Sequence, residues 1–176
     1  MTTLLFDLET DGLLNDLTCI HCLVIHELET AQTLVYNDQG KQEPIVRCIT
    51  RLEEADRIVG HNIINYDIPA IKKIYPFFEP PEAIDTLLMS RLFHANIWNV
   101  DSKKKWDMMP QQLYGRHSLK SWGYRLGVYK GCFGETSDWS EWSQEMEDYC
   151  QQDVIVTQAL CKHFHPYLNG SKWSTR

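Results

Sequence analysis

The spacing of apolar and polar positions changes along the chain. Thr2 to Leu8 is a short, β-rich apolar run that ends in Glu9-Thr-Asp-Gly12, acidic and turn residues of the kind that follow a strand leaving a sheet. Thr18 to Leu28 and Thr33 to Asn37 predict two more strands, separated by the polar Glu29-Thr-Ala-Gln32. Three strands with short polar connections predict an antiparallel meander.

From Pro44 the period becomes helical. Ile45, Ile49, Leu52 and Ala55 fall on one helical face, with Pro44 near the first turn, and Ile58-Val-Gly60 follows as a buried strand. Ile68, Ile71, Ile74 and Tyr75 form the next helical stripe, with Asp67 as its N-cap, Pro69 in its first turn and Pro76 closing it. Ala83-Ile84 reads as a short strand, and Leu87 to Phe93 as a helix capped by Asp85. His94 to Arg116 shows no period and predicts a loop or insertion. Helical patterns return at Ser118 to Leu126 and, after a loop at Gly131 to Ser140, from Trp142 to about His163. The expected organisation is one α/β domain over residues 1–169 with a frayed polar tail at 170–176.

A chain of 176 residues with 43% hydrophobic and 23% charged positions is long enough for one core without disulfides or structural metal. Its six cysteines are therefore read as reduced thiols. The N-terminus lacks a basic start and meets Asp7 and Glu9 before a signal-length apolar region can form, so the expected location is the cytoplasm. No apolar run approaches a membrane span. A net charge of −7 excludes a protein that holds nucleic acid merely by being basic. Carboxylates gathered around metal ions would reverse that local field.

Three acidic groups invite such a site. Asp7 and Glu9 lie two apart on a strand, so both side chains share a face and can reach one ion, although a solvated strand end looks the same. Asp67 follows Gly60-His-Asn-Ile-Ile-Asn-Tyr66 and opens a helix, where a plain N-cap is the commonest role for Asp. Asp153 follows Tyr149 by four positions on the last helix, which places phenol and carboxylate one turn apart on the same face.

In this order, Asp7-Leu-Glu9-Thr, Asn62-x-x-x-Tyr66-Asp67 and Tyr149-x-x-x-Asp153 resemble the three-motif signature of the DEDD 3′→5′ exonucleases, and the tyrosine places the chain in the DEDDy branch. Asp85-Thr-Leu-Leu-Met-Ser-Arg91, Gly115-Arg-His-Ser-Leu-Lys-Ser-Trp-Gly-Tyr-Arg-Leu-Gly127 and Met146-Glu-Asp-Tyr-Cys-Gln-Gln-Asp-Val-Ile-Val-Thr157 are similar to the proofreading domain of family A DNA polymerases from short-tailed, T7-like phages. In that family a large polymerase domain follows. A free exonuclease, a separate subunit and a fragment all stay open for this chain.

The resemblance implies a ribonuclease-H-like fold, with a mixed central sheet flanked by helices and a site at the ends of the first strand and last helix. It implies two divalent ions, Mg²⁺ or Mn²⁺, a choice that four hard oxygen ligands also favour over zinc. Asp7, Glu9 and Asp153 would hold the water-activating ion, Asp7 would bridge to the second with Asp67, and Tyr149 would orient the water. Thr10 and Asn62 would contact substrate. Leu13 would wedge against the terminal base, or else be a core leucine. Lys103, Lys104, Lys105 and Arg116 would meet phosphates or simply be solvated. The expected partners are single-stranded or frayed DNA 3′ ends and a DNA polymerase acting in trans. The rival readings are an idle 3′-end-binding subunit and an RNA-trimming enzyme.

Two other features invite weaker readings. Cys19-Ile-His-Cys22 with His26 lacks the second ligand pair of a structural zinc site and reads as strand alternation. Trp139 and Trp142 read as residues capping a core rather than as base-stacking platforms.

Overall fold

The computed structural model describes residues 1–128 and 138–168. The tail expected at 170–176 and most of the loop expected at 131–140 lie outside the described residues.

The chain opens with β1 (Thr3–Thr10), β2 (Ile20–Glu27) and β3 (Gln32–Asn37), then alternates α1 (Ile45–Glu54), β4 (Arg57–Gly60), α2 (Asp67–Ile74), β5 (Glu82–Asp85) and α3 (Thr86–Phe93). Helices α4 (Ile97–Lys103), α5 (Leu119–Leu126) and α6 (Gln144–Leu168) follow. The five strands form one mixed sheet in the order β3-β2-β1-β4-β5. β1 pairs antiparallel with β2, which pairs antiparallel with β3, and β1 pairs parallel with β4. The predicted meander and the α/β class are both present.

Strand alternation divides β1 between two cores. Its even positions Leu4, Phe6 and Leu8 pack on the face covered by α1 and α2, against Ile45, Ile49, Leu52 and Ile71. Among the odd positions, Leu5 joins Cys22, Val24 and Val59 beneath α6, where Met146, Cys150 and Val154 cover them. Each large apolar side chain buried this way contributes roughly 1.5–3 kcal/mol. The opposite side of α6 carries a third cluster, in which Val156, Leu160 and Phe164 pack against Ile97, Leu119 and Trp122. Asp7 and Glu9 continue the odd row of β1, and so emerge on the α6 face just past its apolar part.

Three expectations are corrected. The segment predicted as a loop over His94 to Arg116 contains α4 and a short 3-10 turn at Gln111–Leu113. Only Ile97 and Asp101 of α4 are buried, and one apolar and one acidic residue do not read as a hydrophobic stripe. Helix α6 continues to Leu168, beyond the predicted end near His163, and carries Pro166 inside it although proline cannot donate the i→i−4 hydrogen bond there. Asp67 is the first helical residue of α2; the N-cap is Tyr66, with no side-chain cap bond, and the Asp67 carboxyl is buried inside.

Candidate active site

β1 delivers Asp7 and Glu9. Opposite them on β2 stand Val24 and Cys22, and a β-bulge between Glu9 and Thr10 shifts the register just beyond the pair. Ligand atoms of Asp7, Glu9 and Cys150 all lie within 4.8 Å of one another. Cys150, three residues before Asp153 on α6, is the neighbour that sequence reasoning passed over. Burial, then the Cys22 thiol and the charge of Asp7, push its thiol well above its ordinary range, so it remains a neutral floor beneath the carboxylates.

The loop after β4 brings the second acidic group. Gly60 is required there because a Cβ would meet Ile63 Cγ2 at 2.2 Å and the Phe6 carbonyl oxygen at 2.8 Å, which lets β4 end directly against β1. Asn62 adopts a left-handed φ of 70°. Asp85 braces this turn, accepting from the N–H groups of Asn62 at 2.9 Å, Ile64 at 3.2 Å and Leu87 at 2.8 Å. The predicted capping role of Asp85 is thus present and is one of three jobs. Asp67, in α2, is 4% exposed. Burial, with the nearby charges of Asp85 and Asp153, raises its carboxyl to about 7.

The five residues predicted to carry the chemistry line one pocket of about 220 Å³: Asp7, Glu9, Asp67, Tyr149 and Asp153, with Asn62 beside them. Trp139 also lines it, standing edge-on to Tyr149 with ring centroids 6.3 Å apart. The Trp139 carbonyl accepts from His21 Nε2 at 2.9 Å, and its ring packs on the α6 core, so the core-capping residue is also a wall of the site.

A larger groove of about 790 Å³ shares Asp7, Asn62, Tyr149 and Asp153 with that pocket. Its far wall is basic: Arg91 from α3, Arg116, His117 and Lys120 at the start of α5. Arg116 was foreseen. Arg91 and Lys120 were not, although Arg91 stands one turn after Leu87 on the same face of α3, and both residues line the groove. Lys103, Lys104 and Lys105 are exposed and outside the groove lining, with the Lys104 ammonium over the Trp106 ring at 3.8 Å.

The remaining candidates separate. Thr10 is 5% exposed and lines neither cavity; its hydroxyl is engaged with the Gly12 carbonyl at 2.8 Å and with Oη of Tyr66, which lines the smaller pocket, at 2.5 Å. Leu13 is 75% exposed in the turn after β1, which removes the core-leucine alternative. Cys22 belongs to the α6-side core, while His26 Nδ1 meets Thr33 Oγ1 at 2.8 Å. Among the described residues, the one cluster of three or more metal-ligating groups is Asp7, Glu9 and Cys150.

Several known proteins are similar to this chain. Two relatives are DNA-directed DNA polymerases, from Escherichia phage T7 at 33% identity over 189 residues and Enterobacteria phage T3 at 32% over 192. The alignments cover 91% and 93% of this chain and 27% of each polymerase, so the chain spans about a quarter of the length of the curated relatives it matches. Among solved structures, Brucella melitensis NrnC superposes with a TM-score of 0.66 at 18% identity, over 96% of this chain and 75% of that one. The same protein with bound Mg²⁺ superposes at 0.64, with 18% identity, over 97% of this chain and 75% of that one. The RNase_H superfamily profile matches residues 4–165. A match that starts on the central strand at Leu4 and ends on the last helix at His165 takes in every layer of the fold, and the chain therefore belongs to the RNase_H superfamily.

Proposed function

We propose that the domain is a metal-dependent 3′→5′ exonuclease that releases nucleoside 5′-monophosphates from single-stranded or frayed DNA 3′ ends. The observation that carries this reading is the convergence of Asp7, Glu9, Asp67, Tyr149 and Asp153 on one pocket from three separate elements. The donor set fits hard divalent cations: it offers carboxylate oxygens, its one thiol is held neutral, and Asp67 is buried among negative charges that a cation would relieve. NrnC, which shares the fold, has been solved with Mg²⁺.

Asp7, Glu9 and Asp153 would hold one Mg²⁺ or Mn²⁺, and Asp7 with Asp67 a second. Bound there, the pair would supply a nucleophilic water and stabilise charge on the leaving 3′ oxygen. The chain's own residues do the positioning. Tyr149 orients the attacking water through its Oη, since a phenol that ionises near pH ~10 is a poor base at neutral pH. Trp139 holds the Tyr149 ring edge-on. Asn62, on its braced turn, and the exposed Leu13 grip the terminal nucleotide, while Arg91, Arg116 and Lys120 face the phosphates across the groove. Thr10 acts indirectly, by fixing the turn that presents Leu13.

The polymerase relatives support DNA as substrate and a DNA polymerase as partner. A chain of net charge −7 has little general attraction for a long strand, and a polymerase working beside it would supply that grip.

The test is digestion of 5′-labelled single-stranded DNA, a mismatched duplex, a paired duplex and RNA of the same sequence, with Mg²⁺, Mn²⁺ or EDTA. Single-stranded and mismatched DNA are expected to shorten stepwise from the 3′ end, faster than paired DNA or RNA, and only with metal. Asp7→Ala should lower turnover at least ~1000-fold, as loss of a shared metal ligand implies. Undiminished cleavage in EDTA or by that variant overturns the reading, and faster trimming of RNA than DNA reassigns the substrate.

A further inference from the structure

The basic wall of the groove contains one group whose orientation is fixed by buried chemistry. His117 lines the groove with Asp7, Tyr149 and Asp153, and its Nδ1 lies 2.6 Å from Ser90 Oγ. Ser90 is fully buried in α3, and its other side-chain partner is Trp122 Nε1, at 2.7 Å. An indole N–H can only donate. Ser90 Oγ therefore accepts from Trp122, and its own hydrogen has one acceptor among its side-chain partners, His117 Nδ1.

An imidazole that accepts at Nδ1 carries its proton on Nε2 when neutral. The neutral form is favoured here, because burial, followed by the charges of Arg125 and Arg91, lowers the His117 pKa. Nε2 makes no hydrogen bond to any described residue. The relay of Trp122 and Ser90 thus fixes the ring through Nδ1 and leaves the N–H of Nε2 to a histidine that lines the groove together with the carboxylates and three cationic side chains. A core histidine would satisfy both nitrogens within the protein.

We propose that His117 is a substrate-positioning residue whose Nε2–H donates to a phosphodiester oxygen of the strand lying in the groove. This rests on the nuclease reading for its substrate class and adds a grip that is neutral and directional, beside the charged grip of Arg91, Arg116 and Lys120. Such a bond orders one phosphate and forms before the chemistry, so its loss appears in binding and KM rather than in kcat.

Two measurements on the full chain test it. Nitrogen-15 spectra of the histidines should show His117 with an unprotonated Nδ1 and a protonated Nε2 near neutral pH; the reverse tautomer overturns the proposal. Binding of a dye-labelled single-stranded DNA, read by anisotropy in EDTA and then by steady-state kinetics in Mg²⁺, should weaken about tenfold in His117→Ala, with kcat within about twofold, as for one hydrogen bond to a charged oxygen. His117→Gln, whose amide nitrogen reaches the Nε2 position, should recover most of the affinity, and His117→Asn should not. Ser90→Ala should mix the tautomers and weaken binding about threefold. Equal affinity in His117→Ala and the parent, or a loss confined to kcat, overturns the proposal. A parent that binds strands but never cleaves them strikes at the nuclease reading alone, because the anisotropy and tautomer measurements do not depend on turnover.

Discussion

Asp85 accepts a hydrogen bond from the backbone N–H of Asn62 at 2.9 Å and so holds it in the left-handed conformation from which Asn62 lines both the pocket and the groove. The carboxylate is 4% exposed and serves the Ile64 and Leu87 N–H groups as well. Asp85→Asn keeps the shape but turns an amide NH₂ toward a backbone donor. One buried mismatch of this kind costs about 1–3 kcal/mol, which corresponds to a fall in Tm of roughly 3–9 °C for a domain of this size. The expected outcome by calorimetry is a drop in that range, with kcat/KM reduced at least about tenfold at temperatures where the variant is fully folded. An unchanged Tm would show that the turn holds itself.

Much of this was legible in the sequence, for reasons that differ by residue. The meander of β1, β2 and β3 and the stripes of α1, α2 and α5 follow directly from period 2 and period 3.6, because their apolar rows face a core. Asp7 and Glu9 were readable as a pair because strand alternation alone puts them on one face. The burial of Asp67 was not readable, since an Asp before an apolar helix signals an N-cap whether or not a pocket lies beneath it. Helix α4 was hidden because Asp101 takes the place of an apolar anchor and finds its partner Arg125 across 24 residues. Cys150 and Trp139 joined the site through packing between α6 and the sheet, a relationship with no local signature.

The raised Asp67 carboxyl makes stability depend on pH in a direction set by its sign. Its folded value of about 7 lies above the model-peptide value of 3.8, so the folded state binds the extra proton between those limits. Stability is therefore lost as pH rises from about 4 through about 7. A divalent cation favours the ionised carboxylate and opposes that loss. Thermal scans at pH 5, 6, 7 and 8 should show Tm rising on addition of Mn²⁺ by an increment that grows with pH. In Asp67→Asn the increment should be smaller and flat across the series. A Mn²⁺ increment in the parent that is largest at pH 5 would contradict the assignment.

Tyr149 presents a phenol whose ring is held edge-on by Trp139, so Tyr149→Phe removes the Oη while leaving the ring contact in place. If the Oη only orients water, turnover should fall roughly 100-fold, the usual worth of one positioned group in proton transfer or charge stabilisation. The Mn²⁺ increment in Tm should match that of the parent. Asp153→Ala should lose both turnover and much of the increment. Parent-like kcat in the phenylalanine variant would remove Tyr149 from the mechanism.

The buried ion pair of Asp101 and Arg125 ties the hidden helix to the groove. Arg125 donates from Nε at 3.1 Å and from Nη2 at 2.7 Å to the two carboxylate oxygens, and the pair is almost wholly buried, with side-chain exposures of 6% and 0%. The same carboxylate accepts from the Gly115 N–H at 2.8 Å, while Arg125 Nη2 also donates to the Arg116 carbonyl at 2.8 Å. Gly115 needs its freedom here: its φ is +71°, and a Cβ would sit 2.8 Å from the Trp98 ring. The pair therefore sets the path of the chain into Arg116 and His117. Asp101→Ala leaves a guanidinium buried without its partner, which costs about 3–5 kcal/mol. Asp101→Ala/Arg125→Met removes both charges and should recover part of that stability, but not the two backbone bonds that hold residues 115 and 116. In urea melts the single variant is expected to lose about 3–5 kcal/mol and the double variant less. In digestion assays at temperatures where each is folded, both should show a raised KM for single-stranded DNA with little change in kcat. A double variant with parent-like KM would show that the groove wall keeps its course without them.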